Sequence, residues 1–88
     1  MAMAESDIQQ GWIYRTSNHQ ERLVLGWDRD GRVVYTSKGR DEADPFHNCH
    51  VRITTQKFAQ RAIGKLRQVE DLQAYIVANK ATTVVVRT

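Results

Sequence analysis

The sequence predicts a small α+β domain: an antiparallel sheet, built as a β-meander of three strands plus a C-terminal strand, packed against one or two helices. Three observations predict it: runs of β-forming residues in the first half, an Asp30-Gly31 pair between two of them, and helical periodicity after Thr54. With 88 residues, 41% hydrophobic and 26% charged, the chain is typical of one globular domain. We expect a flexible tail over residues 1–10 and a single domain over residues 11–88.

The first three strands are predicted from residue type and from the turn between the second and third. The segment GWIYRT is the first, and RLVLGWD and VVYTS flank Asp30-Gly31, a pair that tolerates the positive φ of a tight turn. A two-residue turn would pair Trp27 with Val34, whereas a turn one residue longer would change the pairs. Alternation then defines two faces of the sheet. The predicted core face carries Leu23, Leu25, Trp27 and Val34, and the opposite face carries Val24, Val33 and Tyr35.

The second half of the chain is predicted to contain a short strand, one or two helices and a last strand. CHVRI, residues 49–53, is the short strand, and Thr54 or Thr55 is a good helix N-cap. Apolar residues then recur at helical spacing to about residue 79, with a break near residues 69–71. Gly64 falls inside this segment, where glycine costs about 1 kcal/mol relative to alanine in a helix. The final TTVVVRT predicts a strand, so one helical layer would cover one face of the sheet.

The charge is uneven along the chain, which bears on possible partners. Residues 1–44 have a balance of −2 and residues 45–88 a balance of +5. Lys57, Arg61 and Lys65 recur every four residues, so a continuous helix would align them in one basic stripe. Such a stripe is typical of phosphate contacts, and an exposed aromatic on a strand could stack on a base. The alternative interpretation is a solvated helix face over a sheet whose aromatics are core. The candidate nucleic-acid-binding residues are Arg52, Lys57, Arg61, Lys65 and Arg67.

The segment DPFHNCH gathers residues that bind metals or form nucleophiles. His47, Cys49 and His50 are weak candidates for a zinc site, because structural zinc usually has four ligands in two separated pairs. In a strand, Cys49 and His50 would point to opposite faces. We therefore expect no metal, no cofactor and no catalytic thiol here, and we interpret the segment as a turn after Pro45.

The runs GWDRDGRVVYTSKG, PFHNC and KFA resemble a family of small uncharacterised proteins of bacteriophages and integrative elements. That family has a hairpin ending in V-x-Y-x-S-[RK]-G, a loop with Phe and Cys, and a Phe-Ala pair opening a helix. The resemblance covers roughly Trp12 to Ala62 and departs in the acidic RDEAD loop and in His47 and His50. It implies a bacterial or phage protein in the cytoplasm.

The sequence therefore predicts a non-enzymatic binding module rather than an enzyme. Its single cysteine excludes an intramolecular disulfide, which is typical of a cytoplasmic protein. No apolar run approaches the roughly 20 residues that span a bilayer. We expect a protein-interaction or accessory factor, with a homodimer through a sheet edge as one form. The alternative is a nucleic-acid-binding protein that uses the basic helix face.

Overall fold

The structure is a computed structural model that describes residues 3–17, 20–39 and 51–78. A short 3-10 turn, Glu5–Asp7, precedes the first strand. The strands and helices follow as β1 (Trp12–Thr16), β2 (Gln20–Trp27), β3 (Val33–Gly39), β4 (Val51–Ile53), α1 (Thr55–Arg61), β5 (Ala62–Gln68) and α2 (Leu72–Ala78). The predicted last strand, TTVVVRT, lies outside the described residues.

The five strands form one antiparallel sheet in the order β4-β3-β2-β1-β5. The meander β1–β2–β3 and the short fourth strand follow the predicted order along the chain. A later strand, β5, returns to pair with β1 at the other edge. The predicted α+β class is confirmed.

The long helix predicted after Thr54 is wrong in its middle part. Thr54 is the N-cap, because its hydroxyl oxygen accepts the backbone N–H of Lys57 at 3.2 Å. The helix nevertheless ends at Arg61, and Ala62 already has extended backbone angles. The next seven residues hydrogen-bond to β1 as an edge strand. Tertiary pairing therefore overrides a helical pattern that Gly64 had already weakened.

Both faces of the sheet are covered, so the predicted two-layer arrangement becomes a three-layer one. The α1 face packs on α1 and on the N-terminal segment, and the α2 face packs on α2. Consecutive residues such as Leu23 and Val24 are both fully buried, since each belongs to a different face. The α1 face carries Tyr14, Val24, Val33 and Tyr35, and the α2 face carries Ile13, Leu23, Leu25 and Val34.

Trp27 lies on the α1 face, which corrects its predicted place beside Leu23 and Leu25. It pairs with Val33 rather than with Val34, and a register shift lies between Val24 and Gly26 of the same strand. The reason is a bulge, because one extra residue in a strand moves each later side chain to the other face.

The hairpin loop that produces this register is longer than a two-residue turn. The backbone N–H of Asp28 donates to the carbonyl of Arg32 at 2.9 Å, which closes the loop. Inside it, one carboxylate oxygen of Asp28 accepts the backbone N–H groups of Asp30 and Arg32, each at 2.9 Å. Gly31 has a φ of 81°, which fits the glycine predicted for the turn. The side chain of Asp28 thus organises the loop.

Phe58 fastens α1 to the sheet. Its ring is 1% exposed and makes edge contacts with Tyr14 and Tyr35, at centroid distances of 5.4 and 5.3 Å. The N-terminal segment joins the same layer, since the N–H of Met3 donates to the carbonyl of Ala59 at 3.0 Å. One aromatic side chain therefore holds α1 across β1 and β3, the strands on either side of the central strand β2.

Replacing Phe58 tests this arrangement. Phe58→Ala should lower the free energy of unfolding by about 3–5 kcal/mol, since truncating a buried aromatic ring leaves a cavity. Val77→Ala is the control, because Val77 is 65% exposed and should change the value by less than about 0.5 kcal/mol. Urea denaturation followed by circular dichroism measures both. A Phe58→Ala variant as stable as Val77→Ala would contradict the packing described.

The pH dependence of stability tests the loop. The backbone N–H of Arg32 and then that of Asp30 lower the pKa of the Asp28 carboxyl, against an opposing effect of burial. The charged carboxylate of Asp28 therefore contributes its full stabilisation above the pKa of the unfolded state, about 4. This contribution is lost as the pH falls through the lower pKa of the folded state.

Asp28→Asn keeps an acceptor oxygen and removes the charge. The difference in unfolding free energy between the native protein and this variant should be constant from pH 7 to pH 5 and should shrink below about pH 4. Urea titrations at each pH measure it. A difference that stays the same at every pH would show that the charge of Asp28 does not stabilise the loop.

Candidate ligand-binding pocket

Two tryptophans lie on the α1 face where β1 begins and β2 ends. Trp12 opens β1 and Trp27 closes β2, and both are partly exposed. The indole N–H of Trp27 donates to the hydroxyl of Thr55 at 3.2 Å, which ties this ring to the first residue of α1. Beside the rings is a cavity of about 440 Å³, here named the tryptophan pocket. Its lining residues are Ile8, Gln9, Gln10, Trp12, Trp27 and Gln68.

The N-terminal segment forms one wall of the pocket. The hydroxyl of Tyr14 donates to the carbonyl of Asp7 and accepts the backbone N–H of Gln9, each at 2.7 Å. Burial raises the pKa of the Tyr14 phenol, so its proton stays available for this bond. Ile8, which lies between Asp7 and Gln9 in the chain, is 4% exposed. The described part of the predicted tail, residues 3–10, therefore packs onto the sheet.

The polar groups of the pocket are neutral and can both donate and accept. The side-chain amide of Gln10 donates to the carbonyl of Leu25 at 2.9 Å, which leaves its oxygen as an acceptor. Gln68 is exposed at the end of β5. Among the described residues, none accepts a hydrogen bond from the indole N–H of Trp12. The pocket can thus bind a flat group through ring contacts and fix its edge by hydrogen bonds.

A cation is fixed at the rim. The ammonium nitrogen of Lys65 lies 4.4 Å from the centroid of the Trp12 ring and donates to the side-chain oxygen of Gln9 at 2.6 Å. An ammonium group has three N–H donors, and this bond uses one of them. Lys65 can therefore contact an anion next to a group that occupies the pocket.

The five predicted basic residues do not form one stripe, because β5 interrupts the helix. Lys65 is at the pocket, and Lys57 is two residues after Thr55, which binds Trp27. Arg67 pairs with Ile13 and Arg52 with Val34, which places both on the α2 face. Arg61 ends α1 at the far end of the sheet. Of the five residues, Lys65 alone makes a described contact at the tryptophan pocket.

Of the strand aromatics, only the two tryptophans are partly exposed, and their stacking on a base stays a prediction. Tyr14 and Tyr35 are 0% and 7% exposed and pack on Phe58 in the core. The glutamines were missed as site residues, because Gln9 and Gln10 lie in the predicted tail and the segment that contains Gln68 was predicted as helix. Only the pairing of β5 with β1 brings Gln68 opposite Trp12.

The candidate metal ligands His47, Cys49 and His50 lie outside the described residues. Within residues 3–17, 20–39 and 51–78, no group of three or more His, Cys, Asp or Glu side chains could hold a metal ion. In the same part of the chain, no helix has the length and apolar character needed to cross a membrane.

Comparison with protein-family models, with curated proteins and with solved structures finds no match to this chain. The resemblance to small phage and integrative-element proteins therefore stays a prediction, and the tryptophan pocket has to be interpreted from its own chemistry.

Proposed function

We propose that the protein is a non-enzymatic binding module for single-stranded nucleic acid, with one base held in the tryptophan pocket. The observation that carries the proposal is the stack of Lys65 on Trp12 at the rim of an aromatic cavity. A ring surface and a cation side by side match a base and its neighbouring phosphate.

The size and lining of the pocket support a base as the bound group. A volume of about 440 Å³ lies in the usual range for small-ligand pockets, roughly 300–1,000 Å³. The N–H of Trp12, which no described residue accepts, and the amides of Gln10 and Gln68 offer donors and acceptors, as the edge of a base requires. A single strand fits better than a duplex, because a paired base would first have to be unpaired and unstacked before it could enter a recess.

The charges around the pocket support a polyanion. Lys65 lies on the Trp12 ring, and no acidic residue occurs between Thr54 and Gln68. The nearby hairpin loop adds no net charge, because its two acids, Asp28 and Asp30, are balanced by Arg29 and by Arg32, which contacts both carboxylates at 3.5 and 2.9 Å. The cation closest to the Trp12 ring, Lys65, is therefore available to a phosphate.

A protein-interaction role is the second candidate, and the outer edge of β5 favours it. Ile63 and Leu66 are 50% and 37% exposed, and each is the extra residue of a register shift against β1. Such an edge could dock an extended strand or a second copy. The positive charges of β5 oppose pairing with itself, so we place this role second. The cytoplasmic location and phage setting accompany either proposal as expectations.

Fluorescence anisotropy of labelled single-stranded and double-stranded oligonucleotides tests the proposal. The single strand should bind more tightly, and its affinity should fall steeply with salt. Trp12→Leu should weaken binding by about 5- to 150-fold, the equivalent of roughly 1–3 kcal/mol of stacking per base. Lys65→Gln should make the slope of log affinity against log salt concentration shallower, by the amount that about one phosphate contact contributes.

Arg67→Gln is the matched control, because it removes one exposed cation from the same strand but from the α2 face. It should leave affinity nearly unchanged. Equal losses in Arg67→Gln and Lys65→Gln would show non-specific attraction and contradict the pocket. No binding at low salt, together with a dimer in analytical ultracentrifugation, would favour the β5 edge instead.

A further inference from the structure

Arg22 is a buried arginine in the middle of the sheet, at the other end of α1 from the tryptophan pocket. It belongs to β2, opposite Tyr14 on β1 and Ser37 on β3. The residue is 4% exposed, although its side chain carries a full charge. Burying a charge is strongly unfavourable unless a partner compensates for it. The groups around Arg22 therefore decide whether its charge is compensated.

The partners of Arg22 are neutral and incomplete. Its Nε and Nη2 atoms donate to one oxygen of Gln20 at 3.4 and 3.2 Å, which are long hydrogen bonds. The guanidinium carbon lies 4.7 Å from the centroid of the Tyr35 ring. The Nη1 atom is buried and has no hydrogen-bond acceptor within residues 3–17, 20–39 and 51–78. Arg22 therefore has unused N–H groups, and no carboxylate pairs with it among the described residues.

The neighbouring carboxylate cannot supply the missing charge. Glu21 is next in the strand, so its side chain points to the opposite face of the sheet. There it pairs with Lys38 at 3.9 Å. The described ion pairs thus leave Arg22 without an anion on its own face.

A second arginine, Arg61, belongs to the helix that packs on the same face of the sheet as Arg22. Arg61 ends α1, and the next residue, Ala62, pairs with Thr16 one strand away from Arg22. Burial lowers the pKa of Arg22 most, and the charge of Arg61 lowers it further. Arg61 is exposed at the end of α1, so its own guanidinium can contact a ligand from solvent.

We propose that Arg22 and Arg61 form a binding site for a small oxyanion, either phosphate or a carboxylate. Guanidinium groups bind such anions through paired N–H donors, and the unused Nη1 of Arg22 supplies one of them. An anion between the two arginines would neutralise the buried charge of Arg22, which no described carboxylate pairs with. The site is independent of the tryptophan pocket, because it needs neither Trp12 nor Lys65.

Thermal unfolding of the full chain tests this site. Inorganic phosphate, sodium acetate and sodium chloride are each titrated at matched ionic strength, pH 7. A ligand of the folded state raises the melting temperature as its concentration rises. If the site takes a phosphate, the melting temperature should rise more in phosphate than in chloride. If the site takes a carboxylate, it should rise more in acetate than in chloride. Equal melting temperatures in all three salts would overturn the proposal.

Variants identify the residues responsible. Arg22→Gln should abolish the anion-dependent rise, and its melting temperature in chloride should be equal to or higher than that of the native protein. Arg61→Gln, at an exposed position, should fold normally and lose most of the rise. Arg29→Gln, in the exposed hairpin loop, is the control and should keep it. An unchanged rise in Arg61→Gln would place the anion elsewhere and contradict the site.

Discussion

The pairing of β5 with β1 is the interaction on which the rest of the structure depends. It ends α1 at Arg61, because the chain has to turn into the edge of the sheet at Ala62. It also brings Lys65 opposite Tyr14, from where the ammonium group reaches the Trp12 ring. Without this pairing, the basic residues would follow a helix and the pocket would lose Lys65 and Gln68.

Helix α1 links the two ends of the same sheet face. Thr55 at its start holds Trp27, Phe58 in its middle packs between Tyr14 and Tyr35, and Arg61 at its end lies near Arg22. The buried ring of Phe58 stabilises the position of the helix, so both candidate sites rest on one contact in the core. A small domain gains two chemically different surfaces in this way: an aromatic recess at one end and a cationic site at the other.

The elements of the structure that depend on local residue types could be predicted from the sequence. The β-rich runs around Asp30-Gly31 predicted the hairpin, and Thr54 predicted the start of α1. Trp27 was placed on the wrong face because a bulge leaves no clear pattern in the sequence. The strand at residues 62–68 was missed because its apolar spacing fits a helix, and only contact with β1 decides otherwise. Both arginines of the anion site are visible in the sequence, but their proximity depends on the fold.

Nuclear magnetic resonance of the labelled protein tests the pairing of β5 with β1 through the backbone contacts of residues 62–68. We expect cross-strand nuclear Overhauser effects between β5 and β1, above all near the pairs Tyr14–Lys65 and Ile13–Arg67, with Cα shifts typical of a strand. Helical Cα shifts through this segment, with contacts between residues three apart and none to β1, would contradict it. In that case the basic residues would form the helical stripe after all, and the tryptophan pocket would not exist as described.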